Sequence, residues 1–394
     1  MSHRLINHSV DLKKLRDDGY DISVILGHLV LDNVPYVNAQ KEILRGKLVS
    51  TLMLNNDVTI KPETHVVHFA GQCPCDLNGN PLHKVVLNSN RREFGPNLWI
   101  DYDFSSKPLI GYYENYYEKM STYAQILSCH AQAIDPNVTA RIFPVIETQE
   151  DEAVFNYIDT ASSRAGISAI TNKLQLGKIA IIGLGGTGSY VLDLVAKTPV
   201  KEIHLFDGDT FLQHNAFRSP GAPSRNLLNE KLSKPIYFGR IYSNMHRGII
   251  SHEAYIDETN VNQLHDMDFV FLCLDRGDVK KLIVETLQHY SIPFIEVGLG
   301  VYQTDDALGG IVRVTSSTPD HCDQILANNR IPFSSGNGNN EYDRNIQIAD
   351  LNALNASLAV IKWKKLFGFY SDIDREHFCT YTIDGNILTN EDKP

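Results

Sequence analysis

The sequence predicts an α/β fold, a mostly parallel sheet with an antiparallel extension, preceded by a smaller α+β domain. Three observations predict it. Short apolar runs alternate with helical periodicity between residues 178 and 297, the spacing of strands joined by helical crossovers. The first run, Ile179 to Ile182, enters a glycine turn, Gly183-Leu-Gly-Gly-Thr-Gly188, and then an apolar helix. Residues 298–315 read as a hairpin turning near Asp305-Asp306, so the sheet ends antiparallel.

Residues 1–150 form the α+β domain. A helix over Val10–Asp17 precedes strands at Ile22–Val24, Leu48–Met53 and Thr64–Phe69. The turn signal Asp76–Asn80 leads to a strand at Lys84–Leu87. A longer helix, Gly111 to Ile134, stops before Asp135-Pro136, and the acidic stretch Glu147–Glu152 is a connector. The second domain covers 155–394. A helix over Asp159–Leu174 leads into strands at 178–182, 202–206, 252–256, 268–273 and 293–297, with helices at 187–197, 235–244 and 278–290. The polar stretch 316–346, centred on Ser334–Asn340, is long enough for a functional loop. Ile348, Leu351, Leu354, Leu358 and Ile361 then recur at helical spacing up to a Gly368 cap, and Asp384-Gly385 marks a last hairpin.

A net charge of −11 argues against general nucleic-acid binding. No apolar run approaches the ~20 residues that cross a bilayer, and the start lacks a signal-peptide core, so a cytoplasmic protein without a membrane partner is expected. The cysteines at 73, 75, 129, 273, 322 and 379 are scattered, as reduced thiols would be, and make no pair of zinc knuckles.

The chemistry concentrates after the glycine turn. Gly183, Gly185 and Gly188 satisfy G-x-G-x-x-G, which suits NAD, FAD or ATP, or a tight turn without ligand. Asp207 stands where a ribose carboxylate is expected. Asp209, Asn215, Arg218 and either Lys231 or Lys234 follow it. A ribose carboxylate with Arg and Lys for a triphosphate is the set that ATP requires, and Lys234 is preferred because Pro235 and an apolar helix follow it. The buried strand Phe269–Leu274 carries Asp275 to the carboxyl edge of the sheet, where a carboxylate beside phosphates can hold Mg²⁺. The plainer alternatives are a turn carboxylate for Asp209, a surface ion pair for Arg218 and a helix cap for Asp275.

The set GLGGTGS, DGD, N-x-x-R, Lys and a strand-end Asp resembles the ThiF/MoeB and ubiquitin-activating enzyme (E1-like) superfamily over about residues 160–370. The resemblance implies a Rossmann-like, ThiF/E1-type adenylation domain. It also implies ATP-dependent adenylation of the C-terminal carboxylate of a ubiquitin-like, β-grasp protein ending in glycine, in a bacterial conjugation pathway. Gly183, Gly185, Gly186 and Gly188 would line the phosphates, Asp207 would take the ribose and Asp209 would support the site. Asn215, Arg218 and Lys234 would hold phosphates, Asp275 would hold Mg²⁺, and a homodimer is implied. The family's NLNRQ stands here as Asn215-Ala-Phe-Arg-Ser219, about three extra residues precede the lysine, and an Arg164 contribution to a partner's site has unconvincing spacing. Cys322 is either an acyl-accepting nucleophile or an incidental loop cysteine, and Cys273 packs as an apolar group.

The N-terminal part resembles a domain fused to bacterial ThiF-like proteins. It would recruit the ubiquitin-like substrate or a conjugating-enzyme partner, or mimic a conjugating enzyme with Cys73 or Cys75 reactive. His65 and His68 would face opposite sides of a strand and not converge on a metal, and the tyrosines from 112 to 123 belong to core or interface. Two other readings stand beside adenylation: an NAD- or FAD-dependent oxidoreductase, and a non-catalytic E1-like scaffold.

Overall fold

The polypeptide forms two units, Met1–Thr148 and Gln149–Pro394, and the computed structural model describes residues 2–95, 98–148, 153–333 and 346–393. The first unit begins with α1 (Ser2–His8) and α2 (Val10–Asp17), then β1 (Asp21–Ile25), β2 (His28–Val37) and β3 (Ile43–Thr51). A small ribbon, β4 (Leu54–Asn55) with β5 (Val58–Thr59), is followed by β6 (Val66–Ala70), β7 (Val86–Gly95), β8 (Leu98–Ser105) and α3 (Tyr116–Ile134). Six strands make one antiparallel sheet in the order β1-β2-β3-β6-β8-β7.

Helix α3 packs Tyr116, Met120, Tyr123 and Leu127 on Leu29, Leu31, Leu48, Phe69 and Phe104 of the sheet. The tyrosine hydroxyls end on backbone groups: Tyr116 donates to Thr51 O at 2.8 Å and Tyr123 to His65 O at 2.6 Å. The expected aromatic helix is therefore core, but it starts at Tyr116 and not at Gly111. Asn115 accepts the Glu118 N–H at 2.9 Å and caps it, and Gly111 has φ +92°, outside helical space. Strands β2 and β8 were not expected from the sequence. β2 carries a register shift between Leu31 and Val34 with Asn33 at φ +58°, which breaks the alternation that marks a strand. His68 on β6 bonds Asp103 at 2.5 Å, while His65 precedes the strand and bonds Ser105 Oγ at 3.0 Å.

In the second unit α4 (Thr160–Arg164) and α5 (Ser168–Thr171) replace the single helix expected over 159–174, because Gly166 turns the chain at φ +71°. There follow β9 (Lys178–Ile182), α6 (Gly186–Val195), β10 (Glu202–Phe206), α7 (Gln213–Ala216), α8 (Arg225–Asn229), α9 (Lys234–Tyr242), β11 (Ile249–His252), β12 (Phe269–Leu272) and α10 (Gly277–His289). β13 (Phe294–Gln303) and β14 (Leu308–Ser317) form the expected hairpin, then α11 (Gln324–Ala327), α12 (Ala349–Leu366), β15 (Phe378–Thr382) and β16 (Ile387–Glu391) complete the unit. β11 ends at His252, where a strand was expected to begin.

The sheet order is β11-β10-β9-β12-β13-β14-β15-β16, parallel as far as β13 and antiparallel beyond it. Its central strands are buried on both faces. Ile179, Ile181, Phe269 and Phe271 pack with α6, α9 and α12, and Ala180, Ile182, Val270 and Leu272 pack with α10. After β9 the chain moves to one side through β10 and β11, then crosses to the other through β12. The carboxyl ends of β9 and β12 thus flank a switch point, where ligands of such sheets bind. The centre of the polar stretch 316–346, with Ser334–Asn340, lies outside the described residues, as does most of the Glu147–Glu152 connector. No described helix is long and apolar enough to cross a membrane.

A buried charge in the first unit has no carboxylate partner among the described residues. Lys119 on α3 is 1% exposed and donates to Ser50 Oγ at 2.9 Å; burial lowers its ammonium from 10.5 to about 8. The unfolded chain binds more protons between those two values, so this group makes stability rise as pH climbs from about 8 to about 10.5. Lys119→Met, with similar volume and no charge, is expected to raise stability at pH 7 by roughly 2–4 kcal/mol. Denaturant unfolding at pH 7 and pH 10 checks this. The gap between variant and wild type should narrow at the higher pH.

Candidate active site

Strand β9 ends at the glycine loop, and its glycines divide by what surrounds them. Gly183 turns the chain at φ +89°, with a Cβ position 2.7 Å from Cys273 O. A Cβ on Gly188 would lie 1.8 Å from Gly183 O, so only glycine lets α6 close on the loop. Gly186 lies against the amide of Asn352. At Gly185 a Cβ would meet nothing within 4 Å. That residue borders a cleft of about 690 Å³, whose wall also holds Gly183, Gly186, Asp207, Asp209, Arg218, Lys234 and Asp275. Gly188 and Asn215 are not part of the wall. Ile182, Phe206, Tyr255 and Ile256 give the cleft an apolar side next to Asp207, suited to a base.

Asp207 joins the pieces. Its Oδ2 accepts the Leu184 N–H at 2.7 Å, its Oδ1 accepts the Asp209 N–H at 2.8 Å, and Lys234 Nζ lies 3.4 Å from both oxygens. Lys234 is 5% exposed and also donates to Asp209 Oδ2 at 2.5 Å. Burial alone would raise the Asp209 carboxyl, but hydrogen bonds from Lys234 and Tyr255 outweigh it and hold the carboxyl below its usual range. The hydrogen bond to Asp209 pushes the Tyr255 phenol up to about 12. Lys231, by contrast, is exposed, at φ +50° and outside the cleft. The lysine of the cleft is Lys234.

Asn215 builds the turn that carries Arg218 and does not itself reach the cleft. Its side-chain oxygen accepts the Leu212 N–H at 2.8 Å, and its carbonyl accepts the Arg218 N–H at 3.1 Å and Ser219 Oγ at 2.7 Å. Arg218 lines the cleft with its Nε buried and without a hydrogen-bond partner among the described residues. A buried guanidinium donor without an acceptor, beside a glycine loop and a lysine, fits phosphate oxygens. The sequence reading missed Asn352 on α12. Fully buried, it accepts from Thr187 Oγ1 at 2.9 Å and donates to Arg218 O at 3.3 Å. A polar residue inside an apolar helical stripe was the signal available for it.

Asp275 stands at the edge of the cleft, one residue before Arg276 at the N-cap of α10, so it is not the cap. It is a single carboxylate, and the described residues hold no group of three His, Cys, Asp or Glu that could bind a metal by itself. A divalent ion here would draw its other ligands from phosphate and water. Cys322 is not in the wall; its sulfur lies 3.8 Å from Pro319 O and from Asp323 Oδ1. Burial drives the Cys273 thiol far up, as expected of a packing group. Cys75 is 1% exposed with its thiol raised by burial, which does not resemble an activated nucleophile, and Cys73 sits beside Tyr36 and Tyr102.

The two kinds of glycine are separable by experiment. Gly188→Ala is expected to destabilise by about 1–3 kcal/mol through overlap with Gly183 O, seen as a lower melting temperature. Gly185→Ala should melt close to wild type, because its methyl enters the open cleft and meets no protein atom within 4 Å.

Residues 161–306 match the family described as ThiF family, and residues 10–160 match one described as Domain of unknown function (DUF6791). Over 115 residues the chain is 31% identical to the adenylyltransferase and sulfurtransferase uba4 of Emericella nidulans. The match covers 29% of this chain and 24% of that protein, so the chain spans about a quarter of the length of this curated relative. Among solved structures it is similar to PaaA, at 16% identity over 57% of this chain and 75% of that one, with a TM-score of 0.43. It is also similar to E. coli MccB, at 18% identity over 59% of this chain and 67% of that one, with a TM-score of 0.46. Residues 161–306, the span that holds the glycine loop, Asp207, Arg218, Lys234 and Asp275, form a ThiF-family domain.

Proposed function

We propose that this protein adenylates a carboxylate with ATP, and that the carboxylate is the C-terminal glycine of a ubiquitin-like protein. The observation that carries the reading is the buried Nε of Arg218, without a partner among the described residues, in one cleft with the open Gly185 and with Lys234. An NAD or FAD enzyme would account for the loop and for Asp207. It has no need of that arginine, that lysine and Asp275 together. The likeness to an adenylyltransferase over 115 residues supports the same reading.

Asp207 holds Leu184 and Lys234 in place. That engages both Asp207 oxygens, so the ribose hydroxyls expected at Asp207 would fall instead to Asp209, whose side chain is 52% exposed. Glycine-loop amides, Arg218 and Lys234 take the triphosphate. The carboxylate oxygen attacks the α-phosphorus, the bond to the bridging oxygen breaks, and pyrophosphate leaves with that electron pair. The nucleophile is already ionised, so no general base is needed. The chain's own contribution is positioning and fixed positive charge. Mg²⁺ bound by Asp275 and phosphates would add charge neutralisation. The N-terminal unit recruits the ubiquitin-like protein or a conjugating partner, with no covalent step on Cys73 or Cys75.

ATP–pyrophosphate exchange by the full-length protein, with a glycine-ended ubiquitin-like protein from the same genome, tests this. Exchange should require the terminal glycine and fall about a hundredfold or more in Asp275→Ala. Undiminished exchange in that variant would remove Asp275 from the reaction.

A further inference from the structure

A second charged cluster lies in the same cleft, and no step above uses it. Glu296 on β13 is completely buried. Its Oε1 accepts from Lys280 Nζ at 2.7 Å and from Arg313 Nη2 at 2.9 Å, and its Oε2 accepts from Arg313 Nη2 at 3.0 Å. Lys280, on α10, is 4% exposed. Two cations share one carboxylate, so the cluster keeps one positive charge in a wall largely withdrawn from water. Lys280 and Arg313 both line the cleft, and Arg313 Nε is buried without an acceptor among the described residues. A fixed guanidinium with a spare donor and a surplus charge is a site for an anion.

We propose that Arg313, with Lys280 across Glu296, receives the carboxylate of the acyl substrate. This rests on the adenylation reading above. Arg218, Lys234 and the glycine loop already serve the phosphates at the β9–β10 end. Arg313 belongs to the β13–β14 hairpin, where it pairs with Gly298. Its guanidinium lies across that glycine, and a Cβ there would be 2.6 Å from Nη2. Gly300, two residues on and facing the same way, adds no side chain either. Beside Arg313 the β13 strand offers only backbone at Gly298 and Gly300, with Ile311 opposite Gly300 as the apolar neighbour, so the wall is open to a slender extended chain end and closed to bulk at Gly298. In the reaction two anions must meet. A guanidinium held by a buried carboxylate places positive charge beside the incoming carboxylate without giving it a proton. Arg313 is a positioning residue for substrate in this scheme.

Calorimetry on the full-length protein, saturated with α,β-methylene-ATP and Mg²⁺, tests this with N-acetylglycylglycine as probe and its uncharged amide as control. Wild type should bind the acid in preference to the amide. Arg313→Gln should weaken the acid about tenfold while α,β-methylene-ATP affinity stays unchanged. Glu296→Gln, which frees both cations, should tighten the acid even as it lowers the melting temperature. A purely structural cluster would not give these opposite responses. Should Arg313→Gln not fold, Arg313→Lys keeps the ion pair, loses the Nε donor and should still weaken the acid. Unchanged probe binding in a folded Arg313 variant overturns the assignment. So does loss of nucleotide affinity with the probe unaffected, which would make this a polyphosphate site. Failure of wild type to bind α,β-methylene-ATP contradicts the adenylation reading, and this assignment falls with it.

Discussion

The buried ion pair between Asp207 and Lys234 ties together three pieces of chain: the glycine loop through the Leu184 N–H, the end of β10 through the Asp209 N–H, and the start of α9 through the lysine itself. The Lys234 N–H also donates to Asp209 O at 2.8 Å, so the backbone of α9 is fixed to the same strand end. Both partners are nearly inaccessible. Removing Lys234 would strand the Asp207 carboxylate in a dry wall, which typically costs about 3–5 kcal/mol, whereas without Asp207 the lysine would keep Asp209 as its partner. The loop geometry, the cleft and the direction of the lysine therefore stand or fall as one unit.

Helix α12 carries the next layer of support. Asn352 binds Thr187 of the loop and the backbone of Arg218, while Asn355, one turn on and equally buried, donates to Gly298 O at 2.9 Å. One helix thus grips both the glycine-loop end of the cleft and the hairpin end where Arg313 lies. The proposed adenylation would need two ligands to meet at a fixed distance, and a common rigid support for the two ends serves that need.

Much of this was legible in the sequence. The strand at 178–182, the glycine turn, the β13–β14 hairpin and the last hairpin at Asp384-Gly385 follow from local patterns, and the structure reproduces them. Asp207, Arg218, Lys234 and Asp275 also meet in one cleft. What escaped is what tertiary contact decides. Asn215 looked like a phosphate ligand, yet its side chain is bound to Leu212 and builds a turn. Gly188 looked like part of a phosphate loop and is a packing residue. Lys280, Glu296 and Arg313 come from three separate elements, so no local spacing links them. In the first unit, the bulge in β2 hid a ten-residue strand behind an irregular pattern.

The proposed function requires that this glycine loop serve ATP and not a redox dinucleotide. Titrating the full-length protein separately with ATP plus Mg²⁺, NAD and FAD in a calorimeter tests it most directly, with Arg218→Gln as the companion variant. Binding of ATP is expected, with about tenfold or greater weakening in the variant, and no binding of NAD or FAD. Binding of NAD or FAD with ATP silent, or ATP binding indifferent to Arg218, would contradict it.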